Sequence, residues 1–233
     1  MRIQALHAAI LDLDGTLVDT LGDFEVALAR TLAEFGLPAP SRQLVEHSVG
    51  KGSEHLLRTV LAHQLQAAEP QADSRSTHDR VASLLPQAGQ RYQRHYLQIN
   101  GDQAVVYPGV QAGLDHLVAR GLALACVTNK PLAFARPLLE RKGLAPYFAQ
   151  VFGGDSFERK KPDPMPLRKT CEALDSLPAQ TLMVGDSSND AQAAHAAHCP
   201  VVLVTYGYNH GQPIQQTPAL AWLDSLADLK HWV

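Results

Sequence analysis

Cysteine, charge and long apolar runs are all scarce in this chain. The three cysteines, Cys126, Cys171 and Cys199, are odd in number, widely spaced and set among apolar residues. A disulfide framework is therefore not expected, and a reducing compartment fits better. No stretch approaches the roughly 18 consecutive apolar residues of a membrane span, and no signal peptide with a cleavage site is visible. We expect a cytoplasmic protein with no membrane partner.

The charge balance excludes further classes of protein. Charged residues make up 18% of the chain, and hydrophobic residues make up 45%. This composition argues against disorder and suffices for the core of one or two domains. The net charge of -3 offers no basic surface of the kind that nucleic acid requires. A small anionic molecule collected by local cations remains compatible with it, and the oligomeric state is not indicated.

The order of the predicted elements indicates an α/β fold. The apolar run Ala8–Leu11 is short enough to be a buried parallel strand. Helical periodicity then dominates residues 19–98, and from Val105 onward strands alternate with helices, which favours a parallel sheet with right-handed crossovers. We predict a Rossmann-like core of residues 1–18 and 99–233, interrupted by an all-helical cap domain of residues 19–98. Hinges are expected near residues 18–21 and 100–104.

Polar residues follow four of the predicted strands or loops. In open α/β sheets, ligands bind beyond the carboxyl ends of the strands, so these positions are candidates for a reaction centre. Each has an ordinary alternative: an acidic turn, the start of a helix, a β-branched strand residue or a solvated loop lysine. A calcium loop is disfavoured because Leu17 and Asp23 stand where Gly and Glu are required. The candidates are Asp12 with Asp14, Thr128 with Asn129, Lys161, and Asp186 with Asp190.

The stretch Asp12-Leu13-Asp14-Gly15-Thr16 resembles the first motif of the haloacid dehalogenase superfamily, and the four polar positions match its four motifs in chain order. The resemblance implies that Asp12 is a nucleophile toward phosphorus and Asp14 a general acid and base. It implies phosphate binding by Thr128, Asn129, Lys161 and the backbone of Gly15. It also implies Mg²⁺ held by Asp12, the backbone carbonyl of Asp14 and Asp186, with Asp190 as a nearby supporting group.

A finer resemblance is to the phosphoglycolate phosphatase family. It rests on Thr128–Pro131, Gly153–Asp155 with Lys160–Pro162, Gly185–Asp190, and Thr205–Asn209. It implies hydrolysis of 2-phosphoglycolate to glycolate and phosphate through an aspartyl-phosphate. One departure is His198, where members of the family usually have Gly before Cys-Pro; this concerns the end of a helix.

Several alternatives stay open. Asp14 disfavours dehalogenases and phosphonoacetaldehyde hydrolases, which lack an acid there, although Lys51 resembles the cap lysine of the latter. A phosphatase or mutase acting on another small metabolite, such as a sugar phosphate, remains an alternative, as does a relative that only binds such ligands. We expect the substrate carboxylate to be bound by Lys51 and the backbone N–H groups of Gly50-Lys51-Gly52. The alternative for that loop is a solvated turn.

Overall fold

The computed structural model describes residues 6–71 and 73–233. Residues 1–5 of the predicted core segment and residue 72 of the predicted cap lie outside the described residues. In those two ranges, no helix has the length and apolar character needed to cross a membrane.

A six-stranded parallel sheet forms the centre of the protein, as predicted. Its strand order is β5-β4-β1-β6-β7-β8, and every neighbouring pair is parallel. The edge strand β8 was not predicted. The strands are β1 (Ala8–Leu11), β2 (Val18–Asp19), β3 (Val105–Val106), β4 (Ala123–Val127), β5 (Gln150–Phe152), β6 (Thr181–Gly185), β7 (Val201–Val204) and β8 (Ala221–Leu223).

Helices cover both faces of the sheet. Successive residues of a strand point to opposite faces, so Ala9 and Leu11 pack with α5 and α6 while Ile10 packs with α7 and α8. This layering confirms the predicted α/β class. The helices are α1 (Leu21–Ala33), α2 (Arg42–Ser48), α3 (Ser53–Ala68), α4 (Ser74–Ile99), α5 (Val110–Ala119), α6 (Leu132–Arg141), α7 (Met165–Ala173) and α8 (Ser188–Ala197).

The first four helices pack around an apolar cluster of their own. We call α1–α4 and their connections the cap. The apolar face of α1 is buried in this cluster together with Leu61, Tyr92 and Tyr96. Helix α4 begins at Ser74, because Asp73 caps it by accepting a hydrogen bond from the N–H of Ser76 at 2.7 Å.

A short antiparallel pair joins the cap to the sheet. Val18 pairs with Val106, and Asp19 pairs with Val105. Asp19, predicted to begin a region without strands, therefore lies in β2. Both chain crossings between cap and core pass through or beside this pair, close to the predicted hinges.

The departure at His198 has a local explanation. His198 ends α8 in the left-handed conformation, with φ at 65°. Glycine adopts this conformation without a steric penalty, which is why it is the usual residue at such a helix end. The deviation changes the end of α8 and does not touch the carboxyl ends of the strands.

Candidate active site

Three neighbouring strands deliver the predicted residues to one edge of the sheet. Strand β1 lies between β4 and β6, with Leu11 opposite Cys126 and Val184. Because the strands are parallel, the residues that follow them share the same edge. Asp12, Thr128 and Asp186 are buried there.

Three carboxylates meet at this edge with one lysine. Oxygen atoms of Asp12, Asp186 and Asp190 lie within 4.8 Å of one another. The ammonium group of Lys161 lies 3.0 Å from Asp12 Oδ1 and 2.7 Å from Asp190 Oδ1. The cluster therefore carries more negative charge than Lys161 alone balances.

The pKa values express this imbalance. Burial raises the pKa of Asp12 to about 7, although Lys161 acts in the opposite direction. Burial, followed by the charges of Asp190 and Asp12, raises the pKa of Asp186 well above its usual range. For Lys161, burial alone would lower the pKa, but the two adjacent carboxylates raise it. A cation with oxygen ligands would remove the excess charge, so the donor set fits a divalent metal ion.

The supporting contacts distinguish the roles of the carboxylates. Asp190 accepts hydrogen bonds from the N–H and the hydroxyl of Ser187 on one oxygen and from Lys161 on the other. Both oxygens of Asp190 are thus occupied, and it fixes Lys161. Asp186 is held by the hydroxyl of Thr16 at 2.8 Å and the N–H of Tyr208 at 2.6 Å. Tyr208 lies in the Thr205–Asn209 segment, for which the sequence indicated no role.

Gly15, whose backbone is predicted to bind phosphate, makes a contact within the chain in this structure. Its N–H donates to the carbonyl oxygen of Val18 at 2.9 Å, so this group is already paired rather than presented to a phosphate. Its φ is 84°, and a Cβ atom there would overlap with the Asp186 carboxylate. Glycine is needed at this position so that the turn after Asp14 can pass close to Asp186.

Asp14 lies apart from the acidic cluster and faces the cap. Its Oδ1 atom accepts hydrogen bonds from the Thr20 hydroxyl at 2.8 Å and from the Lys130 ammonium group at 2.9 Å. No role was predicted for Lys130 or Thr20. The available signal for Lys130 was its place in the Thr128–Pro131 motif, directly after two predicted site residues.

The two residues after β4, Thr128 and Asn129, make different contacts. Thr128 lines the cavity beside Asp12, and its hydroxyl accepts a hydrogen bond from the N–H of Lys130 at 3.2 Å. The amide nitrogen of Asn129 donates to the carbonyl oxygens of Lys161 and Gly50, both at 2.8 Å. Asn129 therefore ties the cap to the loop that carries Lys161, and its nitrogen is already paired.

A narrow cavity lies between these residues and the cap. Its free volume of about 30 Å³ is room for about one or two water molecules. The side chain of Lys51 is exposed and is not among the lining residues, whereas the glycines on both sides of it are. The lining consists of Asp12, Asp14, Thr128, Asn129, Lys130 and Phe134 from the core, and Phe24, Val49, Gly50, Gly52, Ser53 and Leu56 from the cap.

Comparison with known proteins agrees with this fold. Residues 9–204 match the family model described as haloacid dehalogenase-like hydrolase, and the chain belongs to that family. It is 40% identical over 223 residues to a phosphoglycolate phosphatase of Thiobacillus denitrificans, covering 96% of this chain and 93% of the relative. It is 42% identical over 221 residues to a phosphoglycolate phosphatase of Nitrosospira multiformis, covering 95% and 92%.

A solved structure shows the same architecture. The crystal structure of a predicted phosphoglycolate phosphatase from Haemophilus somnus 129PT superposes with a TM-score of 0.89 and 32% identity, covering 98% of each chain. The similarity extends over the cap as well as the sheet, so both regions are those of a phosphatase of this hydrolase family.

Proposed function

We propose that this protein hydrolyses 2-phosphoglycolate to glycolate and phosphate in a Mg²⁺-dependent reaction. The observation that carries the proposal is the placement of Asp12, Asp14 and Thr128 in one cavity that the cap closes to about 30 Å³. The cap must move to admit any phosphate ester to so confined a space, and a small ester requires the least movement. The nearly full-length relatives named phosphoglycolate phosphatase support this choice of substrate.

In the first step, a carboxylate oxygen of Asp12 attacks phosphorus. The bond between phosphorus and the glycolate oxygen breaks, and Asp14 gives its proton to that leaving oxygen. Lys161, 3.0 Å from Asp12, offsets the negative charge that gathers as the anion approaches the carboxylate. The products of this step are glycolate and an aspartyl-phosphate on Asp12.

In the second step, Asp14 acts as the base. It takes a proton from a water molecule, whose oxygen attacks phosphorus and releases Asp12 with inorganic phosphate. Asp14 lies on the cap side of the cavity, held by Thr20 and Lys130, where it meets the leaving group and the incoming water in turn. The closed cap limits the water that reaches the intermediate.

The side chains of Asp12 and Asp186, with the backbone carbonyl of Asp14, would hold the Mg²⁺ ion. Bound there, the ion would neutralise negative charge shared by the carboxylates and the phosphoryl oxygens. Asp190 would support the site through Lys161, because its own oxygens are already hydrogen-bonded.

A substrate panel tests the proposal. With Mg²⁺ present, kcat/KM for phosphoglycolate should exceed that for ethyl phosphate, glycerol phosphate and hexose phosphates by at least about tenfold, a difference that one well-placed charged contact supplies. A higher kcat/KM for a hexose phosphate, or the appearance of a phosphate isomer as product, would favour the alternative of a sugar phosphatase or mutase.

A further inference from the structure

Lys130 is a buried cation to which the steps above assign no contact with the substrate. Its side chain is 2% exposed, and it lies in the same cavity as Asp12 and Thr128. Burial of an ammonium group is costly unless charged or polar partners compensate it. The contacts of Lys130 therefore indicate which chemical groups the site can bind.

One side of the ammonium group meets a carboxylate, and other sides meet aromatic rings. Its nitrogen lies 2.9 and 3.2 Å from the two oxygens of Asp14. It also lies 4.4 Å from the ring centre of Phe24 and 4.7 Å from that of Tyr96. An ammonium group has three N–H donors, and aromatic faces attract the cation without supplying an oxygen acceptor. Lys130 thus keeps donor capacity for a second anion.

The position of Lys130 in the cavity predicts which group of the substrate lies beside it. If Asp14 protonates the leaving oxygen, that oxygen lies beside Asp14, and the group attached to it lies beside Lys130. In phosphoglycolate the leaving oxygen carries a CH₂ group and then the carboxylate. The carboxylate therefore reaches the neighbourhood of the Lys130 ammonium group when the phosphoryl group is placed on Asp12.

The lysines Lys161 and Lys51 fit the carboxylate less well. Lys161 is engaged by Asp12 and Asp190, and Lys51 is exposed outside the cavity. The cap contributes Phe24, Val49 and Leu56, which are apolar, together with Ser53 and the backbone around it.

We propose that Lys130 is the specificity-determining residue that binds the carboxylate of the substrate, between Asp14 and the rings of Phe24 and Tyr96. This inference rests on the proposed function. The rings belong to α1 and α4 of the cap, whereas Lys130 follows β4 of the core. The carboxylate site is therefore complete only with the cap closed over the sheet.

The test compares two substrates that differ only in the carboxylate. Ethyl phosphate has a methyl group in its place. Lys130→Met keeps an unbranched apolar side chain against the rings and removes the charge. It should lower kcat/KM for phosphoglycolate about 100-fold more than for ethyl phosphate, as expected for loss of a buried charge-assisted contact. Some loss is expected on both substrates, because Asp14 also loses its partner.

A binding measurement separates recognition from chemistry. The inhibition constant of 3-phosphonopropionate, a non-hydrolysable analogue with the carboxylate, should rise at least about tenfold more in Lys130→Met than that of propylphosphonate, which lacks it. Lys130→Arg keeps the charge and should retain part of the preference. Lys169→Met is the matched control: it removes an exposed positive charge from α7 and should leave both ratios unchanged.

The outcomes are distinguishable. Equal losses on both substrates and both inhibitors, in an enzyme whose wild type prefers phosphoglycolate, would overturn the role of Lys130 and leave the proposed function standing. A wild type with no preference for phosphoglycolate over ethyl phosphate would overturn the proposed function itself, and this inference with it. Should Lys130→Met not fold, Lys130→Arg and Lys130→Gln measured against each other give the same comparison.

Discussion

The core side and the cap side of the cavity are built in different ways. On the core side, Asp12, Asp186 and Lys161 are buried, and each is held by at least one hydrogen bond or ion pair. On the cap side, Phe24, Val49 and Leu56 present apolar surface. The core side thus fixes the charges that the chemistry needs, while the cap side mainly determines the shape of the space and excludes water.

The hydrogen bonding of these buried polar groups shows the same contrast. The oxygens of Asp186 and Asp190 have identified donors. Inside the cap, the hydroxyl groups of Tyr92 and Tyr96 are buried and have no hydrogen-bond partner among the described residues. A fully paired polar network specifies one arrangement, whereas unpaired groups weaken that specification. From this comparison we expect catalysis to depend more on the paired groups around the acidic cluster than on the cap residues, with Lys130 in contact with both regions.

The largest effect should follow from replacing the nucleophile. Asp12→Asn removes the attacking carboxylate and should lower kcat by at least about 10⁴-fold, the order of loss seen when a catalytic nucleophile is removed. Steady-state kinetics with phosphoglycolate measures it. Asp79→Asn makes the same chemical change on an exposed face of α4 and should leave kcat unchanged. Turnover by Asp12→Asn within tenfold of wild type would remove the basis for the contrast between core and cap.

An intermediate effect should appear in the stability of metal-free protein. Since the folded-state pKa of Asp12 is about 7, above the ordinary value, protonation favours the folded state. That contribution is present at low pH and is lost as the pH rises toward and through 7. In EDTA, Tm should fall between pH 5 and pH 8, by roughly 5 °C more in wild type than in Asp12→Asn.

Magnesium should oppose this loss. A divalent ion that binds only the folded protein raises Tm, and it should do so more at pH 8, where the carboxylates are ionised, than at pH 5. Calorimetry at four pH values with EDTA or MgCl₂ measures both effects. A Tm of the metal-free protein that rises over this range, or a magnesium shift that is equal at both ends, would contradict the assignment of the acidic cluster as a cation site.

The core side was largely predictable from the sequence, and the cap side was not. Asp12, Thr128 and Asp186 each follow an apolar strand, and parallel strands bring such residues to one edge whatever the details of packing. Lys130 was missed because its meaning depends on partners distant in the chain: Asp14 is 116 positions away, and the two rings come from different cap helices. Sequence periodicity predicts where the helices lie, but it does not predict how deeply one lysine is buried.

The Gly50-Lys51-Gly52 loop shows the same limit at a smaller scale. The prediction that this loop faces the substrate agrees with the two glycines lining the cavity. The direction of the intervening side chain depends on the backbone angles of the turn, where both glycines have positive φ. The structure directs Lys51 to solvent, so the side chain and the backbone of one short segment have separate roles.

The smallest effect should come from Lys51. Because Lys51 is exposed outside the cavity, between two glycines that line it, Lys51→Ala should only weaken the long-range attraction of anionic substrates, lowering kcat/KM by less than about threefold. The loss should affect phosphoglycolate and ethyl phosphate to a similar degree and should shrink on adding about 0.5 M NaCl, which screens exposed charges. A loss of more than tenfold that is confined to phosphoglycolate and persists in high salt would instead place the carboxylate contact on Lys51. Such a result would make the cap, rather than Lys130 of the core, the region that selects the substrate.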